Sequence, residues 1–255
     1  MLKKRLIGVV TVRNGWAVQS VGYRRYMPLG KPEMLIENLD RWGADEILVQ
    51  CIDRTHAQLG PDFDLLKRVG ALCLSTPLIY GGGIRNKDDG VRAVSLGADR
   101  LTLDAMLWDA PERLETLSRE LGTQALIAHM PVRSQGHQLT LLNYRDGQEC
   151  TLNSACASRM HLDWVSEVML TDWQHEGQQG GFDQSIPANF PLAGKPLLVF
   201  GGLSDPVQLQ QVLSNANVVA AAVGNFLSHK EHAIQRLKKN VVGIPMRAAH
   251  YEKEE

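Results

Sequence analysis

Short apolar runs alternate along this chain with longer amphipathic stretches, the pattern of buried strands separated by helices. Arg5 to Val12 is apolar on both faces, as a parallel strand covered by helices should be. Asn14-Gly15 is a hairpin signal, so Trp16 to Tyr23 is expected to return as a small excursion above the strand end. Pro32 opens a first helix with Met34, Leu35, Leu39 and Trp42 on one face, and Gly43 stops it. Glu46 to Asp53 reads as a second strand, and Phe63 to about Leu74 as a second helix. The third strand, Pro77 to Tyr80, ends in Gly81-Gly82-Gly83. A third helix follows from Lys87 to Gly97, then a strand over Arg100–Ala105 and a helix from Pro111 to about Gly122.

The second half continues the alternation. Ala125 to Val132 is strand-like, and two further strand-like runs flank Asp146-Gly147, a second hairpin signal. A weakly patterned helix is expected near Ser154–Met160, a strand over Glu167–Trp173, and a short irregular helix over Asp183–Asn189. The last elements are a strand ending at Gly201-Gly202, a helix over Pro206–Leu213, a strand over Val218–Gly224, and a helix from about Glu231 to Lys239.

The halves repeat one another. Thr76-Pro-Leu-Ile-Tyr-Gly-Gly-Gly has a counterpart in Lys195-Pro-Leu-Leu-Val-Phe-Gly-Gly. Superposing Gly82 on Gly202 also superposes Leu107 on Leu227 and Val12-Arg13 on Val132-Arg133. Three matches at one offset indicate a duplicated half. Eight strands alternating with helices in a duplicated chain predict an α/β fold, a (β/α)8 barrel (TIM barrel) spanning residues 1–255 as one domain, with half-barrels of about 1–122 and 123–255. A doubly wound open sheet would explain the alternation but not the repeat. The glycine-rich strand ends are where backbone N–H groups could approach an anion such as phosphate.

Composition narrows the function classes. The 255 residues are 44% hydrophobic, enough for a large core, and the formal net charge of −1 gives no reason to expect nucleic acid or an anionic membrane as partner. Cys51, Cys73, Cys150 and Cys156 have neither metal-ligand nor disulfide-framework spacing, which suits reduced cysteines in a cytoplasmic protein. The apolar run at the N-terminus is too short for a signal peptide, and no segment has the length of a membrane helix. No cofactor or metal is expected.

The ordered set Met1-Leu-Lys-Lys-Arg-Leu-Ile, Val12-Arg13-Asn14-Gly15, Gly43-Ala44-Asp45-Glu46, Tyr80-Gly81-Gly82-Gly83-Ile84, Gly97-Ala98-Asp99-Arg100 and Glu176-Gly177 resembles the cyclase subunit of imidazole glycerol phosphate synthase. That family, a lyase of histidine biosynthesis, cyclises a bis-phosphorylated ribulosyl substrate with ammonia supplied by a glutaminase subunit docked at the N-terminal face. The resemblance implies a heterodimer with such a glutaminase. It assigns an ammonia gate to Arg5, Glu46, Arg100 (a lysine in the family) and Glu167, and glutaminase contacts to Asp99 and Gln124. Phosphate binding falls to Gly83 in one half and to Gly177, Gly202, Gly224 and Asn225 in the other.

The catalytic positions depart from the family. Its two proton-transferring aspartates correspond to Thr11 and Pro131, neither of which shuttles protons near neutral pH. The loop lysine is Gln19, the aspartate ending strand two is Cys51, and an asparagine in the first phosphate site is Asp104, whose charge would repel phosphate. Asp53, Asp104 and His129 are the candidate substitutes. The expected function is therefore a glutaminase-binding subunit that conducts ammonia through the barrel to a separate amidotransferase. It is similar to cyclase-like proteins of surface-polysaccharide clusters that serve acetamidino-sugar synthesis. The alternative is an active cyclase of histidine biosynthesis, or a related enzyme on a phosphorylated sugar.

Several loop residues admit a sharp reading and a bland one. His56, His175, Asp53, Asp172 and Glu176 all fall on the C-terminal face, but no two share an element at metal-ligand spacing. Trp16, Trp108 and Trp173 could stack on a sugar or simply pack under loops. Arg24-Arg25 could meet a phosphorylated ligand or an acidic partner, or be solvated.

Overall fold

The computed structural model describes residues 3–229 and 231–249; Met1 and Leu2 of the N-terminal motif lie outside the described residues. Strand β1 (Arg5–Arg13) leads into a hairpin, β2 (Trp16–Val21) and β3 (Arg25–Gly30), before helix α1 (Pro32–Arg41). Then come β4 (Glu46–Cys51), α2 (Phe63–Gly70), β5 (Leu78–Gly81), α3 (Lys87–Ser95), β6 (Arg100–Leu103), α4 (Ala105–Asp109) and α5 (Arg113–Leu121). The second half runs β7 (Leu126–Gln135), the hairpin strands β8 (Gln138–Asn143) and β9 (Gln148–Leu152), α6 (Ser154–Arg159), β10 (Glu167–Asp172), β11 (Leu197–Phe200), α7 (Pro206–Leu213), β12 (Val218–Val223) and α8 (Ala233–Asn240).

Eight of these strands are mutually parallel and close on themselves in the order β1-β4-β5-β6-β7-β10-β11-β12. Arg5 lies beside Ala220 where β12 meets β1. This is a (β/α)8 barrel, with an antiparallel hairpin added to the first strand of each half. No described helix is long and apolar enough to cross a membrane.

Strand alternation sorts the side chains into two apolar clusters. Leu6, Val10, Ile47, Val49, Leu126 and Leu170 pack outward against the helices. Ile7, Val9, Leu48, Ile79, Ile127, Met169, Leu198, Phe200, Ala220 and Ala222 fill the barrel itself. The repeated Gly-Ala-Asp motif has a plain structural use. Asp45 Oδ2 accepts the Leu6 N–H and Asp99 Oδ2 accepts the Leu78 N–H, each at 2.7 Å, so each aspartate pins the start of the preceding strand.

Four expectations need correction. The stretch 183–189 forms turns over 184–189 rather than a helix, because Pro187 has no N–H with which to continue a helical ladder. The second helix ends at Gly70, near the left-handed Cys73 (φ 52). The strand expected through Ala105 stops at Leu103, because Asp104 caps the extra helix α4 by accepting the Ala105 N–H. The first excursion has a second strand, β3, that was not anticipated.

Candidate functional site

Because Glu46, Leu48 and Gln50 all point inward from β4, a polar residue at either end of that strand faces the barrel axis. The same holds for Glu167 and Thr171 on β10. At the N-terminal end, Arg5 and Arg100 each bridge both Glu46 and Glu167, closing a four-membered ring of ion pairs with contacts of 3.0, 2.5, 2.9 and 2.6 Å. The side chains are 6–13% exposed, so these charges are largely out of water and each needs its opposite. Burial opposes the Arg100 charge, but Glu167 and Glu46 outweigh it and raise its pKa above the ordinary arginine value. Arg100 also donates to Ser166 Oγ and to the Gln124 carbonyl, both at 3.0 Å. A recess of about 420 Å³ below the ring is bordered by Asp99 and Gln124, both exposed.

At the opposite end a cavity of about 590 Å³ opens above the apolar interior. Gln50, Thr102 and His129 form part of its floor, and Tyr23, Tyr26, Tyr144 and Trp173 contribute to its walls. His129 Nε2 lies 2.9 Å from Thr171 Oγ1, and burial lowers its pKa, with Asp104 opposing. The imidazole is therefore neutral at pH 7. Cys51 also borders the cavity, and burial pushes its thiol to about 12, so it stays protonated where a base would be needed.

The first glycine-rich strand end is occupied by the chain's own groups. Gly83 N–H donates to Thr55 Oγ1 at 2.9 Å, and Thr55 Oγ1 in turn donates to the Asp104 carboxylate at 3.2 Å. Asp104 also accepts the Ala105 N–H at 2.6 Å and the Tyr144 hydroxyl. Gly83 has φ +77, and a Cβ there would meet the Gly60 carbonyl carbon at 2.4 Å, so the backbone is closed around it. An internal carboxylate thus occupies the kind of helix N-terminus that would otherwise attract an anion.

The second strand end is covered by the β2–β3 hairpin. Ser20 N–H donates to Asn225 Oδ1 at 3.2 Å, and Asn225 Nδ2 donates back to the Ser20 carbonyl. A Cβ on Gly177 would lie 2.1 Å from that carbonyl. Glu176, 2% exposed, accepts from Ser20 Oγ at 2.9 Å and from the Tyr23 N–H at 3.1 Å. Burial raises its pKa despite those donors. A Cβ on Gly202 would lie 2.7 Å from the Phe182 nitrogen and 2.8 Å from the His175 carbonyl oxygen, and one on Gly224 would touch the Phe200 ring.

The remaining sequence candidates separate. Thr11 is buried in register with Gln50, and Pro131 lines the cavity. Asp53 also lines the cavity and accepts the Asn14 N–H at 2.8 Å, near His56 on the wall. Asp172, fully buried, instead pairs with His175 Nδ1 at 2.7 Å and with the Asp183 N–H at 2.9 Å. The five imagined metal ligands therefore belong to three different places. Trp108 packs on the outer core, Trp16 is exposed, and Arg24 borders the cavity.

Sequence reasoning missed Gln50, Tyr23, Thr55 and Tyr144. Gln50 carried a signal, being a polar residue at an inward position of an otherwise apolar strand. The other three are loop residues whose partners lie in distant segments, with nothing local to mark them.

The histidine biosynthesis protein family matches residues 5–233. A Vibrio vulnificus protein described as a putative imidazole glycerol phosphate synthase subunit hisF2 is 26% identical, covering 91% of this chain and 86% of that relative. Imidazole glycerol phosphate synthase subunits HisF of Solibacter usitatus and Acidobacterium capsulatum are 29% and 27% identical, each covering 97% of this chain and 99% of the relative.

Proposed function

Since the chain belongs to the histidine biosynthesis protein family, we propose that it is a HisF-like cyclase-subunit barrel that docks a glutaminase at its N-terminal face and conducts ammonia to a biosynthetic acceptor. The names of its relatives support the cyclase-subunit part of this reading. The observation that carries the rest is the closed Arg5–Glu46–Arg100–Glu167 ring beneath an apolar interior. Neutral ammonia crosses layers such as Ile7, Leu48 and Ile127 without leaving a charge unpaired, whereas ammonium would bear its full desolvation cost. The recess beside Asp99 and Gln124 suits the docking surface.

Cyclisation itself is read as lost. The strand ends offer Thr11 and Pro131 where proton transfer needs carboxylates, and Cys51 stays protonated. The acceptor then lies on another protein, an amidotransferase of acetamidino-sugar synthesis being the reading the resemblance favours, in the cytoplasm. The competing reading, an enzyme acting on a phosphorylated sugar, has Asp53 or Asp104 supply the carboxylate, with His129 on the same cavity. The deciding experiment supplies the purified chain with the bis-phosphorylated ribulosyl substrate and excess ammonium at mildly alkaline pH, beside an active cyclase. No turnover is expected; clear turnover overturns the conduit reading.

A further inference from the structure

The cysteines have no disulfide spacing in the sequence, but the fold brings two of them into contact. Cys150 Sγ and Cys156 Sγ lie 3.6 Å apart, and both thiols are free. The chain between them builds the approach. Along β9, Cys150 and Leu152 turn toward the core while Glu149 and Thr151 are exposed. Asn153 then caps α6: its side chain accepts the Cys156 N–H at 2.8 Å and its carbonyl accepts the Ala157 N–H at 2.9 Å. That turn brings the start of α6 back to β9. Cys156 is buried in the outer core, and Cys150 packs against the same cluster but stays partly exposed.

Two sulfurs at this separation are in van der Waals contact and must approach by about 1.5 Å to bond. Burial and the adjacent Cys156 sulfur push the Cys150 thiol up to about 11, with Arg159 opposing. Little thiolate is therefore present near neutral pH, and a thiol of this kind reacts slowly. Such a pair answers a sustained change in the thiol–disulfide balance, not a brief pulse of oxidant. Neither cysteine lines the mouth cavity or the recess below the ion ring, so a bond between them leaves the ammonia path clear.

We propose that Cys150 and Cys156 are a modification site that closes to a reversible disulfide by exchange with a small disulfide of the glutathione class. The partly exposed Cys150 loses its proton to solvent and attacks one sulfur of the small disulfide. A mixed disulfide forms, and one small thiolate leaves and takes up a proton. Cys156, deprotonated in turn, attacks the Cys150 sulfur, and the second small thiol leaves in the same way. Two protein thiols are oxidised and one small disulfide is reduced to two thiols. The new bond fastens β9 to α6, and with it the hairpin whose Leu142, Tyr144, Gly147 and Glu149 border the mouth cavity.

The test uses the full chain, first reduced, then equilibrated without oxygen in glutathione buffers of graded ratio. After an acid quench, free thiols are alkylated and the chain is digested with trypsin. Both cysteines fall in one peptide, 146–159, since no lysine or arginine lies between Arg145 and Arg159. In millimolar oxidised glutathione this peptide should lose two hydrogens and take no alkylating agent, and excess reduced glutathione should restore both thiols. Cys156→Ser should stop at the mixed disulfide, holding at least tenfold more glutathione on Cys150 than the parent does. The exposed Cys73 reports in the same digest that the glutathione has reacted. The closed loop is short, so the oxidised chain should melt only a few degrees above the reduced one, and Cys150→Ser should show no such difference. The proposal fails if both thiols stay alkylatable while Cys73 reacts, or if glutathione persists on Cys150 of the parent. An unchanged Tm in the closed form overturns the fastening of the hairpin.

Discussion

Tyr144 donates a hydrogen bond to the Asp104 carboxylate, so a residue beyond the second hairpin strand secures the end of the first half-barrel. The pair joins duplicated halves through residues that are not equivalents of each other. Burial and the neighbouring Asp104 charge both push the Tyr144 hydroxyl well above the usual phenol range, so it remains a donor at every physiological pH.

Asp104→Asn should create a weak anion site. The carboxylate now supplies the negative charge at the N-terminus of α4, and the amide would remove that charge while keeping an oxygen for Tyr144. With about 10 mM inorganic phosphate and a Kd of about 1 mM, linkage gives roughly 1.4 kcal/mol. That corresponds to a Tm rise of about 2–4 °C for a chain of this size. Scanning fluorimetry with chloride at matched ionic strength is the check, and the parent chain should not respond. Identical responses from both proteins would mean that the Asp104 charge does not keep phosphate out.

Glu46→Gln should be costly. It leaves Arg5 and Arg100 sharing Glu167 alone in a place with little water, and breaking a buried ion pair typically costs about 3–5 kcal/mol. Arg100→Lys keeps the charge but cannot fork between two carboxylates as the guanidinium does, so a smaller loss is expected. Urea titrations give the two stabilities. With the glutaminase present, Glu46→Gln should also lower the coupling of glutamine hydrolysis to ammonia transfer. Unchanged coupling in a folded variant removes the gate assignment and leaves the ring as a fastening of the barrel floor.

How far the sequence carried this account depended on whether the information was local. Strand periods, the Asp146-Gly147 turn and the repeated glycine ends are local, and they led to the barrel. The inward direction of Arg5, Glu46, Arg100 and Glu167 follows from strand alternation, but their closure into one ring needs the barrel's stagger. The contacts that fill the glycine ends were not legible. Ser20 with Asn225, and Thr55 with Asp104, meet only because loops from different strands converge at the barrel mouth. Over residues 183–189 the sequence has helix-compatible residues, but Pro187 lacks the N–H that would carry the ladder on, so only isolated turns form, closed by Ile186 N–H to the Asp183 carbonyl and Asn189 N–H to the Ser185 carbonyl.

Glu176→Gln should stabilise the protein at neutral pH. The folded pKa of Glu176 is raised by burial, so the native state holds its proton more tightly than the unfolded chain does. Stability from this group is therefore greatest at low pH and is lost as pH rises from the ordinary glutamate value through the raised one. Glutamine keeps an oxygen to accept from Ser20 and the Tyr23 N–H, and it carries no charge to desolvate. Comparing urea midpoints across mildly acidic pH should show the parent falling relative to the variant as pH rises. A parallel pair of curves would show that the hairpin's donors fully compensate the buried charge.

His129 should give the opposite slope. Its folded pKa is lowered, since burial penalises the imidazolium more than Asp104 favours it, so the unfolded chain binds this proton more readily. Stability from His129 is then fully present above the ordinary histidine value and is lost as pH falls through that value toward the lowered one. His129→Gln retains a polar group for Thr171 without the titration. On going from pH 7 to pH 5 the parent should lose more stability than this variant, measured again by urea midpoint, while Glu176→Gln serves as the background for both. Equal losses would mean that the imidazolium is tolerated inside the barrel, and with it a cation at the very level that neutral ammonia is proposed to cross. His129 thus tests the mouth of the conduit as the Glu46 variant tests its entrance.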